Sequence, residues 1–217
     1  MLQVYGASAS PFVRKVLLTL EFKGVPYEQI PVNPFAPPAN WATLSPLKKI
    51  PVLVDGDVVL PDSTIICRYI EDIHPTPSLY PADASARARA CWLEDFADTK
   101  LTENVAAFFF ERFVKVVMLK QTADEQRLKS VAETGLPDAM GYLEHVLPAT
   151  GFAFGDSLSI ADIAIVSTML NGQMVNAPYD AARFPKLMSH FARVTALPLF
   201  KARAAREAED TKALMST

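Results

Sequence analysis

The sequence predicts a small α/β domain followed by an all-helical domain. The first 75 residues alternate between strand-like and helix-like segments, whereas only helical patterns follow position 84. Between these regions, the stretch HPTPSLYPAD holds three prolines, which is typical of a linker. With 217 residues, the chain is long enough for two small domains. We therefore place the first domain at residues 1–76, the linker at 77–83 and the second domain at 84–217.

The first domain is predicted to follow the order βαβ and then ββα. Ser10 and Pro11 are typical of an N-cap and a first helical position. A helix between the first two strands favours parallel pairing, and the turn Asp55–Asp57 favours an antiparallel hairpin. The predicted elements are strands at 2–5, 26–32, 51–54 and 58–60, and helices from Pro11 to about Gly24 and at 62–73.

The second domain is predicted to be helical throughout. Pro137 is expected to kink or break one of its helices. Ser159 and Asp162 have the spacing of a capping box. The helix behind them is apolar on nearly every side, so we expect it at the centre of its domain. The predicted helical stretches are 84–119, 123–147, a helix that begins after Ser159, 184–196 and 198–210.

Composition excludes several classes of protein. The net charge of −3 gives no indication of nucleic-acid binding. Cys67 and Cys91 form no metal-binding spacing and favour a reducing compartment. The most apolar stretch, 105–119, contains three charged residues and is a poor membrane span. With no signal peptide evident, we expect a cytoplasmic protein with no metal and with neither nucleic acid nor membrane as a partner.

Three short segments of the first domain are candidates for chemistry. Taken singly, Ser10 is explained as a helix cap, Asp62 and Ser63 as the start of another helix, and the lysines of LKKIPVL as solvated side chains. Taken together, they place two helix N-termini and a lysine in one small domain. Helix N-termini bind anions through free amides and the helix dipole. A ligand with a thiolate and carboxylates would match this set.

Longer motifs identify a family. The stretches SPFVRKVLLTLEFKGVPYE, NWATLSPLKKIPVLVDGDVVLPDSTIICRYIED and GDSLSIADIAI together resemble the glutathione S-transferase superfamily. The resemblance covers nearly the whole chain and is most specific over 5–80 and 151–165. SPF and KKIPVL are closest to tau-type and neighbouring serine-type transferases, without fixing the class. The resemblance implies a thioredoxin-like first domain that binds glutathione and a helical second domain that forms the electrophile pocket.

By this resemblance, Ser10 is the catalytic hydroxyl that donates to the glutathione sulfur. Ser8 is the rival, because some serine-type classes place the hydroxyl earlier relative to the proline. Tyr5 lies inside a strand, and we interpret it as packing. No cysteine occupies the position of Ser10, which favours conjugation over thiol–disulfide exchange.

The resemblance also implies a set of glutathione-binding residues. The backbone of Ile50, which precedes the family's cis-proline position, would pair with the cysteinyl part. Asp62 and Ser63 match the Glu/Gln-Ser pair that holds the γ-glutamyl end, although aspartate shortens the reach by one methylene. Lys49 fits the lysine near the glycyl carboxylate, with Lys48 as the alternate. No cofactor is expected beyond glutathione as a co-substrate.

One hydroxyl is energetically sufficient for the proposed ionisation. A free thiol has a pKa of about 8.5, and lowering it to about 6.5 requires roughly 2.7 kcal/mol. A hydrogen bond to a charged group contributes about 1.5–3 kcal/mol. A helix N-terminus adds about 0.3–1 kcal/mol. We therefore expect no metal and no general-base triad.

The second substrate is expected to be a small hydrophobic electrophile. Phe12, Phe109 and Phe113 are the candidates for its pocket, although core packing is the better explanation of Phe109 or Phe113 taken singly, and Phe12 is a candidate for core, pocket or subunit contact. The phenylalanines at 108, 109, 110 and 113 wrap around one helix and cannot all face one cavity. Arg112 is a candidate for an anionic substrate, with a solvated arginine as the alternative.

We therefore predict a glutathione transferase that joins the thiolate to a hydrophobic electrophile. Dehalogenation, isomerisation and peroxide reduction would use the same thiolate. The alternative is a non-catalytic interaction or ligand-binding protein on the same fold. The resemblance implies a homodimer in which helices after the glutathione domain pair across a two-fold axis, with Ile65 and Trp92 among the residues expected there.

Overall fold

The computed structural model describes residues 1–215 and confirms the predicted order of strands and helices. Three π-helical segments interrupt the α-helices of the second half: Ala97–Leu101, Phe110–Met118 and Val131–Gly135. The strands are β1 Leu2–Tyr5, β2 Tyr27–Ile30, β3 Val52–Asp55 and β4 Val58–Leu60. The α-helices are α1 Pro11–Phe22, α2 Trp41–Leu44, α3 Ser63–Ile73, α4 Ala84–Phe96, α5 Thr102–Phe109, α6 Glu125–Ser130, α7 Leu136–Val146, α8 Ile160–Met174, α9 Pro185–Thr195 and α10 Pro198–Met215.

The four strands form one mixed sheet in the order β2-β1-β3-β4. β1 pairs in parallel with β2 and antiparallel with β3, and β3 pairs antiparallel with β4. Tyr5, at the end of β1, lies opposite Val52 at the start of β3. Leu60, at the end of β4, lies opposite Leu53. The loop after β1, the residues before β3 and the start of α3 therefore share one edge of the sheet.

α1 forms the core of this unit as its apolar spacing predicts. Val13, Val16, Leu17 and Leu20 are all completely buried. Burial of one such side chain contributes about 1.5–3 kcal/mol. α3 packs against α1.

The described chain forms two compact units. One unit combines Met1–Tyr80 with the C-terminal segment from Ala196, and the other is Pro81–Thr195. This grouping differs from the predicted division, which counted the last helix with the helical domain. α10 instead packs on α1 through ion pairs that the hydrophobic pattern does not reveal. The predicted functional division, with glutathione bound by the first domain and the electrophile by the second, stays a prediction.

Lys23 fixes the chain that follows α3. Its buried ammonium lies 2.7 Å from the Glu71 carboxylate and donates to the carbonyls of His74 and Pro77 at 2.7 and 2.8 Å. These three acceptors match the three protons of an ammonium group. The start of the predicted linker is therefore held by the first unit.

α8 is the buried helix of the second unit, as predicted, and its capping box is present. The Asp162 carboxylate accepts from the Ser159 amide at 2.7 Å, the Ser159 hydroxyl at 2.6 Å and the Ala153 amide at 2.8 Å. His190 Nε2 lies 3.1 Å from the same carboxylate, and both side chains are fully buried. His190 therefore has a structural role.

Pro137 does not end its helix. It is the second residue of α7, and only Leu136 separates it from the π-helical turn Val131–Gly135. The backbone of Gly135 and Leu136 keeps helical dihedral angles. A π-helical turn changes the hydrogen-bonding register, which accommodates the missing N–H of proline. Among residues 1–215, no helix combines the length and apolarity needed to span a membrane.

Candidate active site

The sheet edge described above brings together three of the predicted segments. Ser10 follows the end of β1, Ile50 lies just before β3, and Asp62 and Ser63 follow β4. A Cβ atom on Gly6 would lie 3.4 Å from the Cβ atom of Ile50, which shows how closely the first two segments approach. Two helix N-termini, those of α1 and α3, therefore face the same edge.

Ser10 is the N-cap of α1. Its side-chain oxygen accepts from the Val13 amide at 3.5 Å, which is a long contact for a hydrogen bond. In the part of the chain that the structure describes, the Ser10 hydroxyl donates to no other group. The side chain is half-buried. A ligand anion at the head of α1 can therefore accept a hydrogen bond from the Ser10 hydroxyl.

Ser8 is buried and its hydroxyl is fully engaged. It donates its proton to Asp210 Oδ2 and accepts from Gln29 Nε2 at 2.7 Å. Because a serine hydroxyl has a single proton, Ser8 cannot donate to a second acceptor while this arrangement persists. The two candidates therefore differ in whether the hydroxyl proton is available to a ligand: the Ser8 proton is engaged by Asp210, and the Ser10 proton is not engaged by any described residue.

Tyr5 packs as predicted. Its ring lies 6.2 Å from that of Trp41, and both belong to a cluster with Val32 and Val52. The phenol donates to the side chain of Gln3 at 3.3 Å. The Tyr5 hydroxyl is therefore engaged by its own strand.

Ser45 shapes the segment that carries Lys49. The buried Ser45 hydroxyl donates to the Lys49 carbonyl at 2.8 Å and accepts from the Lys49 amide at 3.0 Å. The side chains of Lys48 and Lys49 are both exposed, and Lys48 has a left-handed backbone with φ of 55°. The Ile50–Pro51 peptide bond is cis.

Asp62 is the N-cap of α3, and its Oδ1 accepts from the Ile65 amide at 3.0 Å. Ser63, the first residue of the helix, is buried. The next residue, Thr64, accepts a 3.0 Å hydrogen bond from the ammonium of Lys15, which is completely buried on α1. Lys15 thus ties the two helix N-termini of the candidate site to each other.

The predicted electrophile residues are distributed between the two units. Phe12 is half-buried in the first turn of α1. In the second unit, Phe109 and Phe113 are half-buried and their ring centroids lie 5.0 Å apart. Phe108 is buried in the core and Phe110 is exposed, so the four phenylalanines do face different ways.

Arg112 has a structural role rather than either role considered from sequence. Its guanidinium donates to the carbonyls of Val175 and Asn176 at 2.9 and 2.6 Å, where α8 ends. It also lies 5.3 Å from the centre of the Phe108 ring. These contacts satisfy carbonyls at a helix C-terminus, where a positive charge is favourable.

The last helix contributes groups that sequence reasoning missed. Glu21 of α1 accepts from Tyr27, Arg203 and Arg206 at 2.7, 3.0 and 2.9 Å. Burial, together with the Glu21 carboxylate, raises the pKa of Tyr27 to about 12. In the sequence, only the alternation of charges along α10 hinted at these contacts, and such alternation is equally typical of a solvent-exposed helix. A cavity of about 680 Å³ opens between α10 and the 21–29 segment, and no predicted site residue lines it.

Comparison with known proteins assigns the family. The family model for the glutathione S-transferase N-terminal domain matches residues 4–78, and the model for the C-terminal domain matches residues 95–203. The chain is 30% identical to a probable glutathione S-transferase from Glycine max, over 76% of this chain and 68% of that protein. It is 25% identical to maleylacetoacetate isomerase from Mus musculus, over 94% of this chain and 92% of that protein.

A solved structure supports the same assignment. The structure of glutathione S-transferase III in its apo form aligns with a TM-score of 0.81 and 28% identity, covering 94% of this chain and 95% of that one. Because the relatives are named both as transferases and as isomerases, the tau-like class stays a prediction. The two family models, matched in order along the sequence, show that the chain belongs to the glutathione S-transferase family.

Proposed function

We propose that this protein binds glutathione at the sheet edge described above and that Ser10 stabilises its thiolate for attack on a hydrophobic electrophile. The observation that carries this proposal is the uncommitted hydroxyl proton of Ser10 at the head of α1. The engagement of the Ser8 proton by Asp210 supports Ser10 as the donor.

The anchoring of glutathione follows from the same edge. The start of α3 offers free amides to the γ-glutamyl carboxylate. Oδ2 of Asp62, whose Oδ1 caps the helix, is available to the γ-glutamyl ammonium. The Ile50 backbone would pair with the cysteinyl part, and the exposed Lys49 would neutralise the glycyl carboxylate.

The chemical step requires an ionised sulfur. The thiol loses its proton to solvent, and Ser10 together with the α1 amides stabilises the remaining negative charge by the roughly 2.7 kcal/mol that a shift of two pKa units needs. The thiolate then donates an electron pair to the electrophilic carbon, so that an S–C bond forms. Where the carbon bears a halide, the halide leaves with the electron pair of its own bond. The aromatic pair Phe109 and Phe113 supports an apolar surface for such a substrate in the second unit.

Substitution of Ser10 tests the proposal. Ser10→Ala should lower the conjugation rate with a chloronitrobenzene roughly 10- to 150-fold, because it removes a hydrogen bond of about 1.5–3 kcal/mol to a charged group. Glutathione affinity should change much less, because the carboxylate anchors are retained. The pKa of the bound thiol, followed by the ultraviolet absorbance of the thiolate, should rise. Ser10→Thr is the matched control, since it retains a hydroxyl. An unchanged thiol pKa in Ser10→Ala would exclude Ser10 as the donor.

Isomerisation is a second candidate, favoured by the relative named maleylacetoacetate isomerase that matches 94% of this chain. The thiolate would add to one carbon of a cis double bond, and the π electron pair would move onto a conjugated carbonyl oxygen. The resulting single bond would rotate, and the returning electron pair would restore the double bond as trans and expel the thiolate. Assays of maleylacetoacetate isomerisation and of conjugation on the same preparation separate the two reactions. Glutathione would be consumed only in conjugation.

A non-catalytic binding role is the remaining alternative. Retention on immobilised glutathione, without turnover of maleylacetoacetate or of a broad electrophile panel, would support it.

We also propose a cytoplasmic homodimer. The exposed apolar side chains of Ile65 and Trp92, each on its own unit, support an interface. Light scattering should give twice the chain mass of 23.8 kDa. A mass of one chain would contradict the dimer.

A further inference from the structure

The loop that carries Ser10 is held by a residue far away in the sequence. Asp210 of α10 accepts the Ser8 hydroxyl proton, although the two residues are 202 positions apart. Ser8 lies two residues before Ser10 in the same short loop. We propose that Asp210 is a positioning residue that, through Ser8, sets the place of the Ser10 hydroxyl. This inference rests on the proposed function of Ser10.

Gln29 contacts the same loop, whose backbone is also hydrogen-bonded from the Ser10 amide to the Ala7 carbonyl and from the Gly6 amide to the Ile30 carbonyl, both at 3.0 Å. Gln29 donates to the Ser8 oxygen at 2.7 Å and to the Gly6 carbonyl at 3.4 Å. Gly6 has a φ of 154°, and a Cβ atom there would lie 2.5 Å from Val13, so the loop passes directly over α1. Gln29 and Asp210 thus hold Ser8 from two sides.

The Asp210 carboxylate is itself held in place. Arg203 lies two helical turns before Asp210 on α10 and is almost fully buried. Its guanidinium is 3.6 Å from Asp210 Oδ2. The same stretch of α10 is anchored to α1 where Arg14 donates to both oxygens of Glu207 at 2.7 and 2.8 Å. Paired hydrogen bonds between arginine and a carboxylate fix orientation as well as distance. The stretch of α10 that carries Asp210 is therefore anchored to α1, while the Asp210 side chain itself stays half exposed.

Loss of this support should affect the sulfur contact more than glutathione binding as a whole. A catalytic group has to lie within about 0.5 Å of its productive position to act fully. Backbone hydrogen bonds hold the main chain of the loop, but the cap contact of 3.5 Å is too long to fix the Ser10 hydroxyl to within that tolerance by itself. The anchors proposed for the glutathione carboxylates lie on other segments, near Lys49 and α3. We therefore expect the bound thiolate to be less stabilised, with the affinity for glutathione nearly unchanged.

Truncation of Asp210 tests the inference. In Asp210→Ala, the pKa of glutathione bound to the full-length protein should rise by about 0.5–1 unit, and the conjugation rate should fall roughly 3- to 10-fold. Asp210→Asn keeps an oxygen acceptor for Ser8 and should restore most of the shift. Glu209→Ala is the matched control, because Glu209 is the exposed neighbouring acid on the same helix. Ser8→Ala breaks the same hydrogen bond from the other side and should reproduce Asp210→Ala, and the double variant should add little to either.

The outcomes separate this inference from the proposed function. If the wild-type protein does not lower the pKa of the bound thiol, the proposed function fails and the inference fails with it. If the wild type lowers the pKa and both Asp210→Ala and Ser8→Ala retain that shift, only the positioning role is overturned. A lower Tm with an unchanged thiol pKa would likewise assign Asp210 to fold stability alone. Should Asp210→Ala not fold, Ser8→Ala decides the matter by the same measurement.

Discussion

Ser10 and Ser159 are both N-caps of helices, and their surroundings differ. Ser159, at the start of α8, is buried, and both its hydroxyl and its amide donate to Asp162 at 2.6 and 2.7 Å. Ser10, at the start of α1, is half-buried and only accepts one contact of 3.5 Å. The N-cap serine hydroxyl therefore donates its proton within the fold in one unit, which we call a saturated cap. In the other unit the hydroxyl proton has no acceptor among the described residues, which we call an uncommitted cap. A saturated cap stabilises the fold, whereas an uncommitted cap remains able to bind an incoming anion.

The strongest test of the comparison is to break the saturated cap. Asp162→Asn replaces an acceptor oxygen with an amide group that faces the donors around it, and it removes the negative charge beside the fully buried His190. We expect a loss of about 3–5 kcal/mol in the free energy of unfolding, measured with urea. Asp156→Asn, an exposed acid just before the box, is the control and should change stability by less than about 0.5 kcal/mol. A loss of less than about 1 kcal/mol in Asp162→Asn would mean that saturation of the cap contributes little.

A direct comparison of the two caps has a smaller expected effect. Ser159→Ala should lower the free energy of unfolding by about 1–2 kcal/mol, near the upper end for an N-cap. Ser10→Ala should lower it by less than about 0.5 kcal/mol, because its cap contact is long. Urea titrations of both variants, in parallel with the wild type, give the difference. Equal losses would mean that Ser10 is as fully used by the fold as Ser159.

The smallest effect concerns a third helix start, where an acid from outside the helix completes the cap. Glu111 accepts from the amide of Asp124, the N-cap of α6, at 2.8 Å. Its hydrogen bond with Lys115, followed by that from the Asp124 amide, holds the pKa of Glu111 below its ordinary value. A depressed folded-state pKa adds stability that is present above the ordinary pKa and is lost as pH falls through the folded value. Glu111→Gln should therefore cost about 1 kcal/mol at pH 7.

The pH dependence gives that prediction its control. The stability difference between wild type and Glu111→Gln should shrink as pH falls from 7 to about 3, since protonation removes the charge in the wild type. Glu133→Gln, an exposed acid whose lysine partner lies 3.8 Å away, should show almost no difference at any pH. A Glu111→Gln difference that stays constant with pH would show that the charge is not what stabilises this helix start.

Local patterns were sufficient to predict the order of strands and helices, but not the packing of α10 on α1. The apolar spacing of Val13, Val16, Leu17 and Leu20 predicted the buried face of α1, and the turn Asp55–Asp57 predicted the hairpin. The helix between β1 and β2 favoured their parallel pairing, which the structure confirms. These features depend on neighbours in sequence, which is why one sequence reveals them.

Contacts of long polar side chains were not predictable. Arg112 caps the end of α8, 63 positions away, and nothing in its own stretch indicates that partner. Asp210 and Ser8 are similarly remote. Hydrophobic periodicity tells which face of a helix is buried, but not which charged group of a distant helix meets it. The candidate site was found through motifs, and its supporting residues only through the three-dimensional arrangement.

The return of α10 to the first unit has a consequence for how the protein is made. Arg14 and Glu207 are 193 positions apart, so a ribosome synthesises the sheet and α1 long before the helix that completes their packing. The second unit, Pro81–Thr195, is contiguous and emerges complete before α10 does. The face of α1 that packs on α10 should therefore stay uncovered until the whole of the second unit has been synthesised.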